Sequence, residues 1–125
     1  MFSRLAVNLD GVIFFRNNEH PAKVANISEE GIGVLISDRP ADGCDFSPGD
    51  ELYIEFIDEF RWPRDWLDEF HILKARVAQV RTEKGKCYLG CRVIRAETDY
   101  RRYVEKRKCH SFIKSLRNGC VFRRE

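Results

Sequence analysis

The sequence predicts a mainly β fold, a small antiparallel β-barrel or sandwich of six strands followed by a C-terminal α-helix. Three observations carry this. Apolar and polar residues alternate with a period of two in several short stretches, turn-forming residues separate those stretches at regular intervals, and the spacing becomes helical only after Thr98.

Leu5 to Phe15 reads as the first strand, because Leu5, Val7 and Leu9 alternate with Ala6, Asn8 and Asp10 before the β-forming run Val12–Phe15. Arg16-Asn17-Asn18-Glu19 is a polar turn ahead of Pro21. Ala22–Ile27 is the second strand, Ser28-Glu29-Glu30-Gly31 interrupts it, and Ile32–Ile36 is the third. Ser37 to Asp50 reads as loop, ending in the tight turn Pro48-Gly49-Asp50, where proline presets φ and glycine accepts a positive one. Glu51–Ile57 places Leu52, Ile54 and Phe56 on one face and Glu51, Tyr53 and Glu55 on the other. His71–Arg81 and Cys87–Ile94 form a hairpin about Glu83-Lys84-Gly85-Lys86. From Thr98, read as an N-cap, Tyr100, Tyr103 and Val104 and then Phe112, Ile113 and Leu116 fall at helical spacing, and Asn118-Gly119 is the stop.

The chain has 125 residues, 43% of them hydrophobic and 34% charged, enough for one core under a well-solvated surface. The expected organisation is a single domain over 1–125, the barrel over about 4–95 and the helix over about 98–117. Arg4, Asn8 and Asp10 interrupt the N-terminal apolar run, so neither a signal peptide nor a membrane span is read there. The expected compartment is cytoplasmic, with reduced cysteines serving as small buried hydrophobes. Cys87 and Cys91, four apart along one strand, lie ~13 Å apart and cannot bridge.

Charge is polarised. Residues 38–70 carry three basic and eleven acidic side chains, whereas residues 71–125 carry sixteen basic and five acidic ones. The basic C-terminal half offers a phosphate-binding surface for nucleic acid, ranked below a solvated helix face or pairing with the acidic segment. His20, His71 and His110 are scattered, and Cys109-His110 has no second ligand pair at zinc-like spacing, so no metal or cofactor is expected. No carboxylate pair or nucleophile signature marks an enzyme. Residues 58–70 hold both tryptophans, Trp62 and Trp66. They read as a hairpin extension folding onto the barrel, or as a loop that docks a protein partner.

The informative segment is Val24-Ala25-Asn26-Ile27-Ser28-Glu29-Glu30-Gly31-Ile32-Gly33. A short amide and a hydroxyl two residues on can bond local backbone and still face outward, and Gly31 lets the chain turn through φ values closed to other residues. This stretch resembles the second motif of the PilZ family, bacterial receptors for cyclic di-GMP, which reads Asp/Asn-x-Ser-x-x-Gly. Phe2-Ser3-Arg4-Leu5-Ala6-Val7 is similar to the family's arginine-bearing N-terminal arm, Ser47-Pro48-Gly49-Asp50 to its Gly-Asp turn, and Tyr88-Leu89-Gly90-Cys91-Arg92-Val93 to its closing strand, with Val93 in place of an aromatic. The likeness spans about residues 2–108. Of the first motif, Arg-x-x-x-Arg, Arg4 aligns with the second arginine, and the first falls one position before Met1.

The resemblance implies a split-barrel fold and a cyclic di-GMP receptor that relays the signal to an effector protein. In it, Arg4 clamps the ligand, Asn26 and Ser28 bond guanine or phosphate, and Gly31 allows close approach. The second implied reading is an adaptor of the same fold that has lost the ligand and works through protein contacts alone.

Overall fold

A computed structural model describes residues 4–40, 45–62, 65–83 and 85–118, with side-chain surroundings for 4–36, 45–58, 70–82 and 85–109. The strands are β1 (Leu5–Phe15), β2 (Asn18–Ile27), β3 (Gly31–Pro40), β4 (Glu51–Trp62), β5 (Asp65–Glu83) and β6 (Lys86–Ala96), and the helix is α1 (Tyr100–Asn118). All strand pairs are antiparallel, and the order β1-β2-β3-β6-β5-β4 closes into a barrel when β4 pairs with β1. The expected architecture is therefore the observed one.

The alternation does what period two requires. Val24, Ile27, Ile32, Val34, Ile54, Leu73 and Leu89 point into a closed core with no exposed surface. On β4, Leu52, Ile54 and Phe56 are buried as the pattern demands. Helix α1 caps one end of the barrel with Tyr100, Tyr103 and Val104, all buried. The two tyrosine rings meet Phe56 and His71, and His71 lies tilted against Tyr103 at a centroid distance of 4.5 Å. Phe112, Ile113 and Leu116, expected to continue this face, lie outside the described side chains.

A buried ion pair fixes the cap. Asp58, 3% exposed, accepts from the Tyr103 hydroxyl at 2.7 Å and from Arg107 Nε at 2.6 Å. Pairing of the acidic segment with the basic half thus occurs within the molecule. Burial, with the Asp58 carboxylate as its hydrogen-bond partner, pushes the Tyr103 phenol up, so it stays a donor.

Element ends depart from the sequence reading for identifiable reasons. The β1–β2 turn is only Arg16-Asn17, both at positive φ (52° and 65°), which lets β2 begin at Asn18 and carry Pro21 opposite Val12. Residues 37–40, read as loop, extend β3. Residues 58–70 are the distal part of the β4–β5 hairpin, paired from Ile57↔Phe70 to Trp62↔Asp65, so the extension reading holds for the backbone. The tryptophan side chains lie outside the described residues. Asp99, not Thr98, caps α1, its Oδ1 accepting from the Arg102 N–H at 3.3 Å, because the Thr98 hydroxyl is taken by His71 Nδ1. The Pro48-Gly49 turn is as expected, with Gly49 at φ 98° and the Asp50 N–H donating to the Ser47 carbonyl at 3.1 Å.

Cys91 is a buried free thiol, pushed up to about 12 by burial, and Cys109 is free and exposed. Cys87, by contrast, is disulfide-bonded, which corrects the expectation of reduced cysteines. Spacing along one strand rules out a Cys87–Cys91 bridge but says nothing of residues that the fold brings near. Among the described residues no helix is long and apolar enough to cross a membrane.

Candidate functional site

The candidate residues gather on the outer wall of the barrel, where β1, β2, β3 and β6 meet beside the foot of α1. Arg4 stands just ahead of β1. Its Nη1 donates to Asn26 Oδ1 at 2.5 Å, and Asn26 Nδ2 donates to the Tyr88 hydroxyl at 3.0 Å. The other Arg4 nitrogen lies 2.8 Å from where a Gly31 Cβ would be, so a side chain there would push the guanidinium off the bend. This corrects the φ argument for Gly31. Among the described residues the positive-φ glycines are Gly49 and Gly85, and Gly31 is not one of them.

Ser28 closes the bend. Its backbone N–H donates to the Gly31 carbonyl at 2.9 Å, and its hydroxyl sits 3.5 Å from the same oxygen. The Tyr100 hydroxyl donates to that carbonyl from α1 at 3.0 Å. Burial pushes the Tyr100 phenol up, with the Arg4 charge opposing, so it donates throughout the physiological range. The four residues singled out from the sequence, Arg4, Asn26, Ser28 and Gly31, are therefore brought together.

A groove of about 390 Å³ opens at this place, lined among others by Arg4, Ser28, Gly31, Gln79, Gly90 and Arg92. Three of these were not singled out as site residues. Gly90 and Arg92 sit in the quoted closing strand, where register puts Arg92 opposite Gly31 and Gly90 opposite Gly33. Gln79 gave no signal, since only the β5–β6 register sets it opposite Gly90. Tyr88 was also missed. It is buried, and its ring lies under the Arg81 guanidinium at 4.3 Å.

The electrostatics are two-sided. Arg4 and Arg92 offer donors to an anion, whereas the bend's own carboxylates are drawn off toward α1. Lys108 Nζ donates to Glu29 Oε1 at 2.9 Å, and Arg101 lies 3.5 Å from Glu30. Burial alone would raise the Glu29 carboxyl. The Lys108 hydrogen bond, a backbone N–H and the charges of Lys108 and Arg101 outweigh it and hold the group below its ordinary value. The site thus presents arginines and amides on a glycine floor, groups that suit a planar, anionic ligand.

The PilZ domain model matches residues 1–106. This chain belongs to the PilZ family. The fold of this PilZ chain recurs in solved structures. The Bacillus subtilis inhibitor of motility MotI/DgrA superposes with a TM-score of 0.67 at 19% identity, over 94% of this chain and 51% of that one. The chain therefore spans about half of that protein. The PilZ domain of YcgR from Escherichia coli, solved with c-di-GMP, superposes with a TM-score of 0.60 at 11% identity, over 93% of this chain and 94% of that one. No curated protein matches the sequence.

Proposed function

We propose that this PilZ domain is a cyclic di-GMP receptor and that it relays occupancy to a protein partner. The observation that carries the reading is the Arg4 guanidinium, hydrogen-bonded to Asn26 and lying over Gly31 at the mouth of a groove that also holds Ser28 and Arg92. Cyclic di-GMP offers two phosphates and two guanines. A guanidinium pairs bidentately with either phosphate oxygens or guanine O6 and N7, and each such pair is worth ~1–3 kcal/mol. Family membership and the YcgR domain solved with this dinucleotide support the same ligand.

The relay reading rests on the bend. Successive residues Glu29, Glu30 and Gly31 are held by Lys108, Arg101 and Tyr100 of α1, so a ligand that shifts the bend acts on the helix directly. A partner surface is offered by the β4–β5 arm, where the paired Ile57 and Phe70 are 44% and 49% exposed. That exposed pair also supports the second reading, an adaptor that works by protein contacts without the dinucleotide.

Titration calorimetry with cyclic di-GMP decides between them. The receptor reading expects binding by the wild-type chain and a loss of about tenfold or more in Arg4→Ala and Arg4→Lys. No heat of binding from the folded wild-type chain overturns it and leaves the adaptor.

A further inference from the structure

The groove is built on a repeated local device. In β2, the pairing with β3 slips between Val24↔Val34 and Asn26↔Gly33, so Ala25 is an extra residue and Asn26 follows a bulge. In β5, the pairing with β6 slips between Val77↔Cys91 and Gln79↔Gly90, so Ala78 is extra and Gln79 follows a bulge in the same way. A bulge re-aims the side chain beside it. Each carboxamide here is turned onto a glycine of the neighbouring strand. The Asn26 amide atoms lie 2.7 Å from the place of a Gly33 Cβ, and Gln79 Cγ and Nε2 lie 3.0 and 3.2 Å from that of a Gly90 Cβ. Gly33 and Gly90 are themselves register partners. The floor is therefore two side-chain-free positions on adjacent strands, with one amide laid over each.

The two amides are not equivalent. Asn26 is already engaged at both ends, its Oδ1 by Arg4 and its Nδ2 by Tyr88. It orients the arginine and keeps one N–H and one lone pair. Gln79 is exposed and lines the groove together with Arg92.

We infer that Gln79 is the base-reading residue of this groove, its Oε1 accepting from the N1–H and 2-amino group of a guanine, with Asn26 the positioning residue for Arg4. The inference rests on the cyclic di-GMP reading and assigns a contact outside the motif that defines the family resemblance. Arginines have donors only and so address O6, N7 and phosphate. The N1–H and 2-amino donors of guanine need an acceptor: the Glu30 carboxylate, which also lines the groove, is drawn toward Arg101, and the Gln79 amide supplies one from β5.

A double-mutant cycle between protein and ligand tests this. Cyclic di-GMP and its inosine analogue, which lacks only the 2-amino groups, are titrated into wild type, Gln79→Ala and the isosteric Gln79→Met, with circular dichroism to confirm folding. Wild type is expected to prefer cyclic di-GMP by about tenfold, and both variants to lose most of that preference while still binding. An unchanged preference in both variants overturns the assignment and leaves the receptor reading standing. Failure of wild type to bind either dinucleotide overturns the receptor reading and this inference with it.

Discussion

Replacing Gly33 by alanine puts a methyl group where three side-chain atoms already sit. The new Cβ would stand 2.1 Å from the Tyr88 hydroxyl and 2.7 Å from both Asn26 amide atoms, well inside contact distance. All three are side-chain ends, so the barrel survives and the side chains move. Moving them breaks the Asn26–Tyr88 hydrogen bond and the exposed Arg4–Asn26 one. Together these are worth about 1–3 kcal/mol once solvent screening of the exposed pair is allowed for. In a domain of this size that is a fall in Tm of about 4–10 °C. The clamp is lost at the same time, so cyclic di-GMP affinity falls by about tenfold or more. Gly85→Ala is the control: φ there is 76° with open space around it, and it costs about 1 kcal/mol of backbone strain far from the groove. Thermal unfolding and calorimetric titration of both variants make the comparison. Wild-type affinity in Gly33→Ala, or an affinity loss no greater than that of Gly85→Ala, would refute the reasoning.

Other outcomes follow from contacts already described. Asp58→Ala takes from Arg107 and the Tyr103 hydroxyl the acceptor they share, and urea denaturation should show a loss of about 1–3 kcal/mol. Because the Glu29 carboxyl is held low in the folded state, its contribution is present above its ordinary value near 4.5 and is lost as pH falls through the folded one. Thermal stability of wild type should therefore exceed that of Glu29→Gln at pH 7 and converge with it once pH has fallen below the folded-state value.

The strands were legible because burial on one face imposes a period of two, and the helix because Tyr100, Tyr103 and Val104 share one side. Ends were less so. Thr98 and Asp99 are both good caps, and only the distant His71, which claims the Thr98 hydroxyl, decides between them. The motif residues were legible as neighbours in sequence, but the reason for Gly31 was not, since the guanidinium that crowds it comes from Arg4. Gln79 was out of reach altogether. Its place depends on a one-residue slip at Ala78 against a strand that follows a turn, and neither composition nor alternation records such a slip.

The β3–β6 pairing has a consequence for how the groove comes into being. Arg4 and Asn26 belong to the first hairpin, whereas Gln79 and Arg92 belong to the last, and the β3–β6 pairing sets them side by side. A fragment of the first three strands would carry the motif and lack the opposite wall. Recognition and global folding are then one equilibrium, and a ligand at a hundred times its Kd would deepen the native well by about 2.7 kcal/mol everywhere at once.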